Sequence, residues 1–517
     1  MATPEADPRR GAGRWLDAVE RAGNALPDPT TLFAAGALLV AFGAELAVLG
    51  DWAVRNGDET LRARSLLSSD GLYWMLRSLV GNFTGFPPLG VVLVGMLGIG
   101  VAERSGFIGA LLRAVLLAVP RGGLTPAVFF AGVMSSMGLD AGYVVLPPVA
   151  AALFAAVGRS PLVGLAAVFA GVSAGFSANL FPTSLDPMLA EFSTAGAQLL
   201  DPSYEVAATA NLWFMIGSTG LLTAVGWAVT ALWVEPRFAR KPPERGGADP
   251  GAAEPEALTS FSATERRGLA LAAASTAGCF ALFVAATWLP GAPLYGDDGA
   301  FPRWVRVIVP LLFVLFLVPG LVYGWVTGAL ANDRDVARMF GETMASMGPY
   351  IVLAFFAAQF IAWFGHSNLG PMLAITGGQA LASAGLPAAL LMVGFIGVVG
   401  AGNLLIGSMS AKYAFFAPVF VPMFMAAGIS PELTQAAYRV GDSVTNVITP
   451  LNPYVVIVLT FMQRYDPRAG IGTLVALMLP YALAFAVAWS VLLAVWVASG
   501  APLGPGGPLV YEAAVLR

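Results

Sequence analysis

Apolar runs that can cross a lipid bilayer recur along the whole chain of 517 residues. A transmembrane helix needs about 20 predominantly apolar residues. Runs of this kind lie at 30–49, 87–101, 210–234, 269–288, 305–326, 347–364 and 473–497. Only 11% of the residues are charged and 57% are hydrophobic, which is too little charge for a soluble surface of this size. The sequence therefore predicts an all-α polytopic membrane protein with about nine transmembrane helices.

Three regions between these runs are interrupted. At 107–157, 161–200 and 380–463, Gly, Pro, Asn and Asp divide the apolar sequence into pieces too short to span. Broken segments are tolerated at membrane depth only where protein or a water-filled cavity satisfies the freed backbone groups. We expect two re-entrant helical hairpins and broken helices in these regions.

The distribution of basic residues predicts orientation. The segment 235–267 contains six Arg and Lys residues and is rich in Pro, Gly and Glu, which favours a cytoplasmic linker between two membrane halves. We expect a cytoplasmic N-terminal segment (1–29), a first membrane half (30–234), the linker (235–267), a second membrane half (268–499) and a periplasmic C-terminal tail (500–517). The expected location is the bacterial inner membrane.

The two halves resemble each other where they are most interrupted. "DAGYVVLPPV" (140–149) resembles "SAKYAFFAPV" (410–419), and "SANLFPTSLDP" (177–187) resembles "VTNVITPLNP" (444–453). This pattern indicates two structural repeats, inverted if one begins inside and the other outside. Repeats with broken helices at matching positions are typical of secondary transporters whose site lies at the repeat interface.

The interrupted regions also contain polar groups that are costly in a membrane. A charge at the bilayer centre costs about 2.5–3.5 kcal/mol on insertion scales, so these side chains must face one another or water. The groups are Asp140, Asn179, Asp186, Asn403, Lys412, Arg439, Asp442 and Asn446.

Arg439 and Asp442 are three residues apart, on one face of a predicted helix, and can pair. One interpretation is a structural salt bridge. The other is a guanidinium offered to an anionic substrate, since its forked donors suit a carboxylate. Asp186 is either a helix cap or a titrating carboxylate that carries a coupling proton, as Asp442 could also be. We expect Lys412 to pair with an acidic side chain or to extend along the broken helix towards the interface, rather than to contact the substrate.

Several classes of protein are excluded or disfavoured. A single His366 and a single Cys279 cannot form His- or Cys-based metal sites, and we expect no cofactor. The sequence contains no basic stripe for nucleic acid and no phosphate-binding loop. An ion gradient is then the expected energy source. Sodium is an alternative to the proton, with Asn179 and Asn446 as candidate ligands, and an enzyme or a channel is disfavoured.

Seven long stretches resemble the AbgT family of p-aminobenzoyl-glutamate transporters over nearly the whole chain. They are "GNALPDPTTLF" (23–33), "NFTGFPPLGVVLVGMLGIGVAERSG" (82–106), "DAGYVVLPP" (140–148), "GVSAGFSANL" (171–180), "SMSAKYAFFAPVFVPMF" (408–424), "ISPELTQAAYRVGDSVTNVITPLNPY" (429–454) and "YDPRAGIGTL" (465–474).

The resemblance implies a homodimer with nine membrane helices and two hairpins in each protomer, and a water-filled basin open to the cytoplasm. It also implies proton-linked transport of p-aminobenzoyl-glutamate, or of p-aminobenzoate and sulfonamide antimetabolites. The family positions thought to line the substrate path correspond to Asp186, Asn403, Pro431, Arg439, Asp442 and Pro450. The usual "SAKW" reads "SAKY" here, which places Tyr413 where an indole is expected. We also expect Tyr413, Asn179 and Asn446 to contact the substrate.

We therefore expect a secondary active transporter of small aromatic anions that works by alternating access. The alternative is a sodium-coupled symporter of dicarboxylates or other organic anions.

Overall fold

The fold is almost entirely helical, with two short β-hairpins. In this computed structural model the described residues are 29–56, 59–118, 120–138, 141–248, 260–298, 301–449 and 451–512. Strand β1 (Ala53–Asn56) pairs antiparallel with β2 (Glu59–Arg62), and β3 (Asp297–Asp298) pairs with β4 (Phe301–Pro302).

The first nine labelled helices fill the first half of the chain. They are α1 (Pro29–Leu49), α2 (Ser69–Thr84), α3 (Pro87–Arg104), α4 (Phe107–Leu117), α5 (Leu124–Met134), α6 (Ala141–Ala156), α7 (Pro161–Ala174), α8 (Leu185–Ala197) and α9 (Leu212–Val229). A π-helical turn at Thr230–Val234 and one more α-helical turn at Glu235–Phe238 extend α9.

The second half begins with α10 (Ala263–Trp288), which the Ser262 side chain caps. A single turn at Arg303–Arg306 precedes the remaining helices. These are α11 (Ile308–Thr327), α12 (Asp333–Ser346), α13 (Gly348–His366), α14 (Leu369–Ser383), α15 (Ala388–Asn403), α16 (Met409–Ala426), α17 (Pro431–Thr445), α18 (Val455–Gln463) and α19 (Ile471–Ser499).

Within the described residues, eight helical stretches are long and apolar enough to cross a membrane, close to the nine expected. One of them, Ser69–Arg104, consists of α2 and α3 separated by a short break. Shorter apolar helices occupy the interrupted regions, as expected: Phe107–Leu117, Leu124–Gly138, Gly142–Ala156, Pro161–Ala174 and Ala388–Asn403. The prediction of an all-α membrane protein is confirmed.

The packing repeats in the same order in both halves. Helices α1–α9 correspond one by one to α11–α19, and corresponding pairs pack alike. Thus α5 packs on α7 as α15 packs on α17, and α6 packs on α7 as α16 packs on α17. Contacts between the halves are also duplicated: α3 packs on α11 as α13 packs on α1, and α8 packs on α16 as α18 packs on α6.

Small residues let helices in each repeat approach closely. A Cβ atom added at Gly441 of α17 would lie 2.6 Å from the Ile396 backbone oxygen of α15. Such contacts between small residues allow the tight helix pairs that membrane proteins use. This tight pair holds the polar face of α17 against the end of α15, where the candidate site lies.

Candidate substrate and coupling site

The candidate site forms where α8 of the first repeat meets α17 of the second. Asp186 lies in the first turn of α8, and Arg439 lies in the middle of α17. The Arg439 Nη2 atom is 2.6 Å from Asp186 Oδ1, and only 1% of the arginine side chain is exposed. This buried ion pair joins two residues that are far apart in sequence and belong to different repeats.

Asp186 has the capping role that the sequence analysis offered, and it also pairs with Arg439, a partner that the sequence did not predict. Its second oxygen, Oδ2, accepts hydrogen bonds from the Thr183 backbone N–H at 2.6 Å and the Thr183 hydroxyl at 2.9 Å. The carboxylate therefore closes the turn that starts α8 while it also pairs with Arg439. Three donors converge on the Asp186 carboxylate: the Arg439 guanidinium and the backbone N–H and hydroxyl of Thr183.

The predicted pairing between Arg439 and Asp442 is wrong. Asp442 pairs instead with Lys412 of α16, at 2.6 Å between Nζ and Oδ1, and neither side chain is exposed. The three-residue spacing does place Arg439 and Asp442 on one side of α17. However, Asp186 and Lys412 approach from two other helices and supply the partners. The expectation that Lys412 pairs with an acid is confirmed.

Arg439 retains two unused donor groups. Its Nε and Nη1 atoms are buried and, among the described residues, have no hydrogen-bond partner. A buried donor without a partner costs about 1–3 kcal/mol, so such groups are rare in stable interiors. Unpaired guanidinium N–H groups beside a broken helix are suited to bind an oxyanion.

Asn403, the last residue of α15, organises the second ion pair. Its side-chain amide donates to the Asp442 backbone oxygen at 2.8 Å and to Asn446 Oδ1 at 2.7 Å. Its own Oδ1 accepts from Lys412 Nζ. Asn446 in turn donates to Asp442 Oδ2 at 3.3 Å. Asn403, Lys412, Asp442 and Asn446 thus form one buried network within the second repeat.

Asn179 occupies the position in the first repeat that matches Asn446, and its described side-chain hydrogen bond is to an uncharged residue. Its Oδ1 atom accepts from the Ser136 hydroxyl at 2.9 Å, whereas its Nδ2 atom is buried without a partner among the described residues. The neighbouring Ser177 backbone N–H donates to Ser443 Oγ of α17 at 3.2 Å. The two broken regions therefore touch each other directly.

Tyr413 is fully buried one residue after Lys412. Its hydroxyl lies 2.6 Å from Ser193 Oγ of α8, and Ser193 also donates to Gln435 Oε1 at 3.0 Å. The sequence analysis did not single out Ser193 or Gln435. Gln435 could have been found, because it lies four residues before Arg439 on the polar face of α17.

Pro431 lies at the opposite end of α17 from the network of Asn403, Lys412, Asp442 and Asn446. It is the first residue of the helix, eight residues and about 12 Å along the axis from Arg439. There the buried Glu432 accepts from the Tyr204 hydroxyl at 3.0 Å, and the Ser430 backbone N–H donates to Leu509 in the C-terminal tail. Two further predicted positions, Asp140 and Pro450, lie outside the described residues.

A cavity of about 500 Å³ lies beside α8. Its lining from α8 consists of Pro187, Ala190, Glu191 and Thr194, and α3 and the segment before α11 form the other walls. Asp186 and Arg439 do not line this cavity. The ion pair is almost fully buried: 1% of the Arg439 side chain and 9% of the Asp186 side chain are exposed.

Comparison with known proteins identifies the family of the chain. The profile of the AbgT putative transporter family matches residues 14–511. The chain is 35% identical to the p-aminobenzoyl-glutamate transport protein of Escherichia coli (strain K12) over 506 residues, which cover 96% of this chain and 97% of that protein.

Two solved structures are also similar. The YdaH transporter of Alcanivorax borkumensis, whose structure is described as having an unusual topology, has a TM-score of 0.87 and 45% identity, covering 93% of this chain and 100% of that chain. MtrF of Neisseria gonorrhoeae, described as illuminating a class of antimetabolite efflux pumps, has a TM-score of 0.88 and 40% identity, covering 96% and 100% respectively. On the match across nearly its whole length, the chain belongs to the AbgT family of transporters.

Proposed function

We propose that this protein is a proton-coupled secondary active transporter of small aromatic anions, such as p-aminobenzoyl-glutamate, p-aminobenzoate or sulfonamide antimetabolites. The observation that carries the proposal is the buried Arg439, whose Nε and Nη1 groups have no partner among the described residues. A guanidinium with free, desolvated donors selects a carboxylate or a similar anion. The transported substances of the relatives supply the aromatic part of the proposal.

Charge balance supports the proton as the coupling ion. Two cations, Arg439 and Lys412, face two anions, Asp186 and Asp442, so the described site is neutral. Adding an anionic substrate to a buried neutral site leaves an uncompensated charge, which is costly in a membrane. Uptake of a proton by Asp186 restores neutrality when the substrate is a monoanion such as p-aminobenzoate, and lowers the excess charge by one when it is the dianion p-aminobenzoyl-glutamate. It also frees Nη2 of Arg439 for the substrate. Proton and anion binding would then favour each other.

The test is substrate flux into proteoliposomes that contain the purified protein, with pH and sodium gradients imposed separately. We expect accumulation of labelled p-aminobenzoyl-glutamate or of a sulfonamide to follow the pH gradient and to continue when choline replaces sodium. Absence of gradient-dependent flux for every one of these substrates would contradict the transport proposal. The same purified sample tests the implied homodimer through its mass in detergent.

A sodium-coupled symporter of organic anions is the second candidate. Its support is in the first repeat, where the Ser136 hydroxyl is bonded to Asn179 Oδ1 and the buried Ser177 Oγ, two residues before Asn179, has no partner among the described residues. Hydroxyl and amide oxygens at a broken helix are suited to sodium. Flux that requires sodium at a fixed pH would favour this candidate over proton coupling.

A further inference from the structure

The ammonium group of Lys412 lies in a cage of oxygen atoms. Its Nζ atom is 2.6 Å from Asp442 Oδ1 and 3.5 Å from the Ile406 backbone oxygen, and it donates to Asn403 Oδ1. The lysine side chain is completely buried. A carboxylate, an amide oxygen and a backbone carbonyl are the types of ligand that hard cations prefer.

Two helix ends contribute to this cage. Helix α15 ends at Asn403, and the chain runs without helical structure from Ile406 to Ser408 before α16 begins. Helix α17 ends at Thr445, one turn after Asp442. The carboxyl ends of helices carry partial negative charge, and unwound carbonyls at such breaks are the groups with which transporters coordinate coupling cations.

We propose that the Lys412 ammonium is a built-in cation that occupies an ion site in the second repeat. Without the lysine, the oxygen ligands of this site would bind an alkali-metal ion such as sodium. The proposal deepens the proposed transport function, because it implies that coupling at this position does not use sodium. Only this consequence rests on the proposed function. The claim about the site itself concerns ion binding and can be tested without substrate.

The first repeat lacks such a cation. The residue that corresponds to Lys412 is Gly142, next to the matched pair Tyr143 and Tyr413. A Cβ atom at Gly142 would lie 2.1 Å from Ser135 Oγ, so no side chain fits there. At these matched positions, only the second repeat supplies a cation from its own chain.

Arg439 provides a matched comparison within the same helix. It also pairs with a buried carboxylate, but the remaining oxygen of Asp186 is covered by the N–H and O–H donors of Thr183. A site lined by donors repels a metal ion. Removing Arg439 should therefore not create a cation site, whereas removing Lys412 should.

The experiment measures thermal unfolding of the full-length protein in detergent, in sodium chloride and in choline chloride at equal ionic strength. We expect Lys412→Ala to melt about 2–4 °C higher in sodium chloride than in choline chloride, as for an ion present at a concentration well above its dissociation constant. The wild type, Arg439→Ala and the double variant Lys412→Ala/Asp442→Asn should show no such difference. Lys412→Ser, which supplies a hydroxyl ligand, undergoes the same test.

A sodium-specific shift confined to the Lys412 single variants supports the proposal. Folded Lys412→Ala or Lys412→Ser protein without that shift overturns it, and Lys412 is then a structural ion pair only. Single variants that stay unfolded in sodium while the double variant folds overturn it as well. If the double variant also fails to fold, the binding of ²²Na⁺ to the wild type is compared with its binding to Asp442→Asn. Displaceable ²²Na⁺ that binds to the wild type but not to Asp442→Asn overturns the proposal. These results do not depend on flux, so failure of the transport proposal remains separately visible.

Discussion

The two buried ion pairs on α17 differ in where their partners come from. Asp186 reaches Arg439 from the first repeat, whereas Lys412, Asp442 and Asn403 all belong to the second. A movement of one repeat against the other can separate the first pair but leaves the second intact. The comparison suggests that the Asp186–Arg439 pair is a switch and that the Lys412 network is a fixed part of one repeat.

The chemistry around each pair agrees with this division. Arg439 has two unused donors, so its guanidinium can accept a second anion when Asp186 withdraws or is protonated. The described oxygens around Lys412 accept from the ammonium, from the amides of Asn403 and Asn446 and, at Asp442 Oδ1, also from the Tyr438 hydroxyl at 3.5 Å. The predictions below change one pair at a time.

Arg439→Ala should have the largest effect. Removing one partner of a buried ion pair leaves the Asp186 carboxylate uncompensated, at a cost of about 3–5 kcal/mol. We expect a large drop in melting temperature and no substrate flux in proteoliposomes. The double variant Asp186→Asn/Arg439→Gln should recover most of the stability without recovering flux. Transport by folded Arg439→Ala at the wild-type rate would contradict the role of Arg439 as the anion-binding group.

Asp186→Asn should separate binding from coupling. The amide keeps the size of the side chain but cannot carry the transported proton, and Arg439 remains free to bind the anion. We expect counterflow exchange of labelled substrate to persist, whereas accumulation driven by a pH gradient is lost. Asp442→Asn is the comparison in the second repeat. Gradient-driven accumulation by Asp186→Asn equal to that of the wild type would reassign Asp186 to helix capping alone.

The matched asparagines should differ in their contribution to stability. Asn446→Ala removes an acceptor for Asn403 and a donor to the charged Asp442, with an expected loss of about 1–3 kcal/mol. Asn179→Ala removes one bond from Ser136, with an expected loss of about 1 kcal/mol. Thermal unfolding of both variants in detergent gives the comparison. Equal losses, or a larger loss for Asn179→Ala, would mean that the charged network adds no stability to the second repeat.

Tyr413→Phe should have the smallest effect. The ring stays in place, and Ser193 keeps its bonds to Gln435 and to the Leu189 backbone oxygen, so the loss should be about 1 kcal/mol or less. Substrate affinity should stay close to wild type, because the hydroxyl is buried among protein groups. A marked rise in KM for transport would show instead that the Tyr413 hydroxyl contacts the substrate.

Much of this arrangement could be predicted from sequence because rare residues mark it. The broken segments, the repeat and the membrane fold follow from hydropathy and from Asn, Pro and Tyr at matching positions. The partner of Arg439 could not be predicted in this way. Spacing along one helix identifies residues on a shared face, but the Asp186–Arg439 contact depends on how α8 crosses α17, which no local pattern records.

The network around Lys412 shows the same limit. A buried lysine must pair with an acid, and that expectation is confirmed with Asp442. The choice between Asp442 and the other intramembrane carboxylates depends on the position of α16 against α17. Asn403 could be named from the family resemblance, but its part in orienting both Lys412 and Asn446 follows only from the geometry at the end of α15.

The switch at Asp186 and Arg439 is tested most directly by the number of protons taken up when the anion binds. Titration calorimetry of purified protein with p-aminobenzoyl-glutamate, repeated in buffers of different ionisation enthalpy, measures that number. The account predicts uptake of about one proton per bound anion in the wild type and none in Asp186→Asn. Binding without proton uptake in the wild type, or equal uptake in Asp186→Asn, would contradict it.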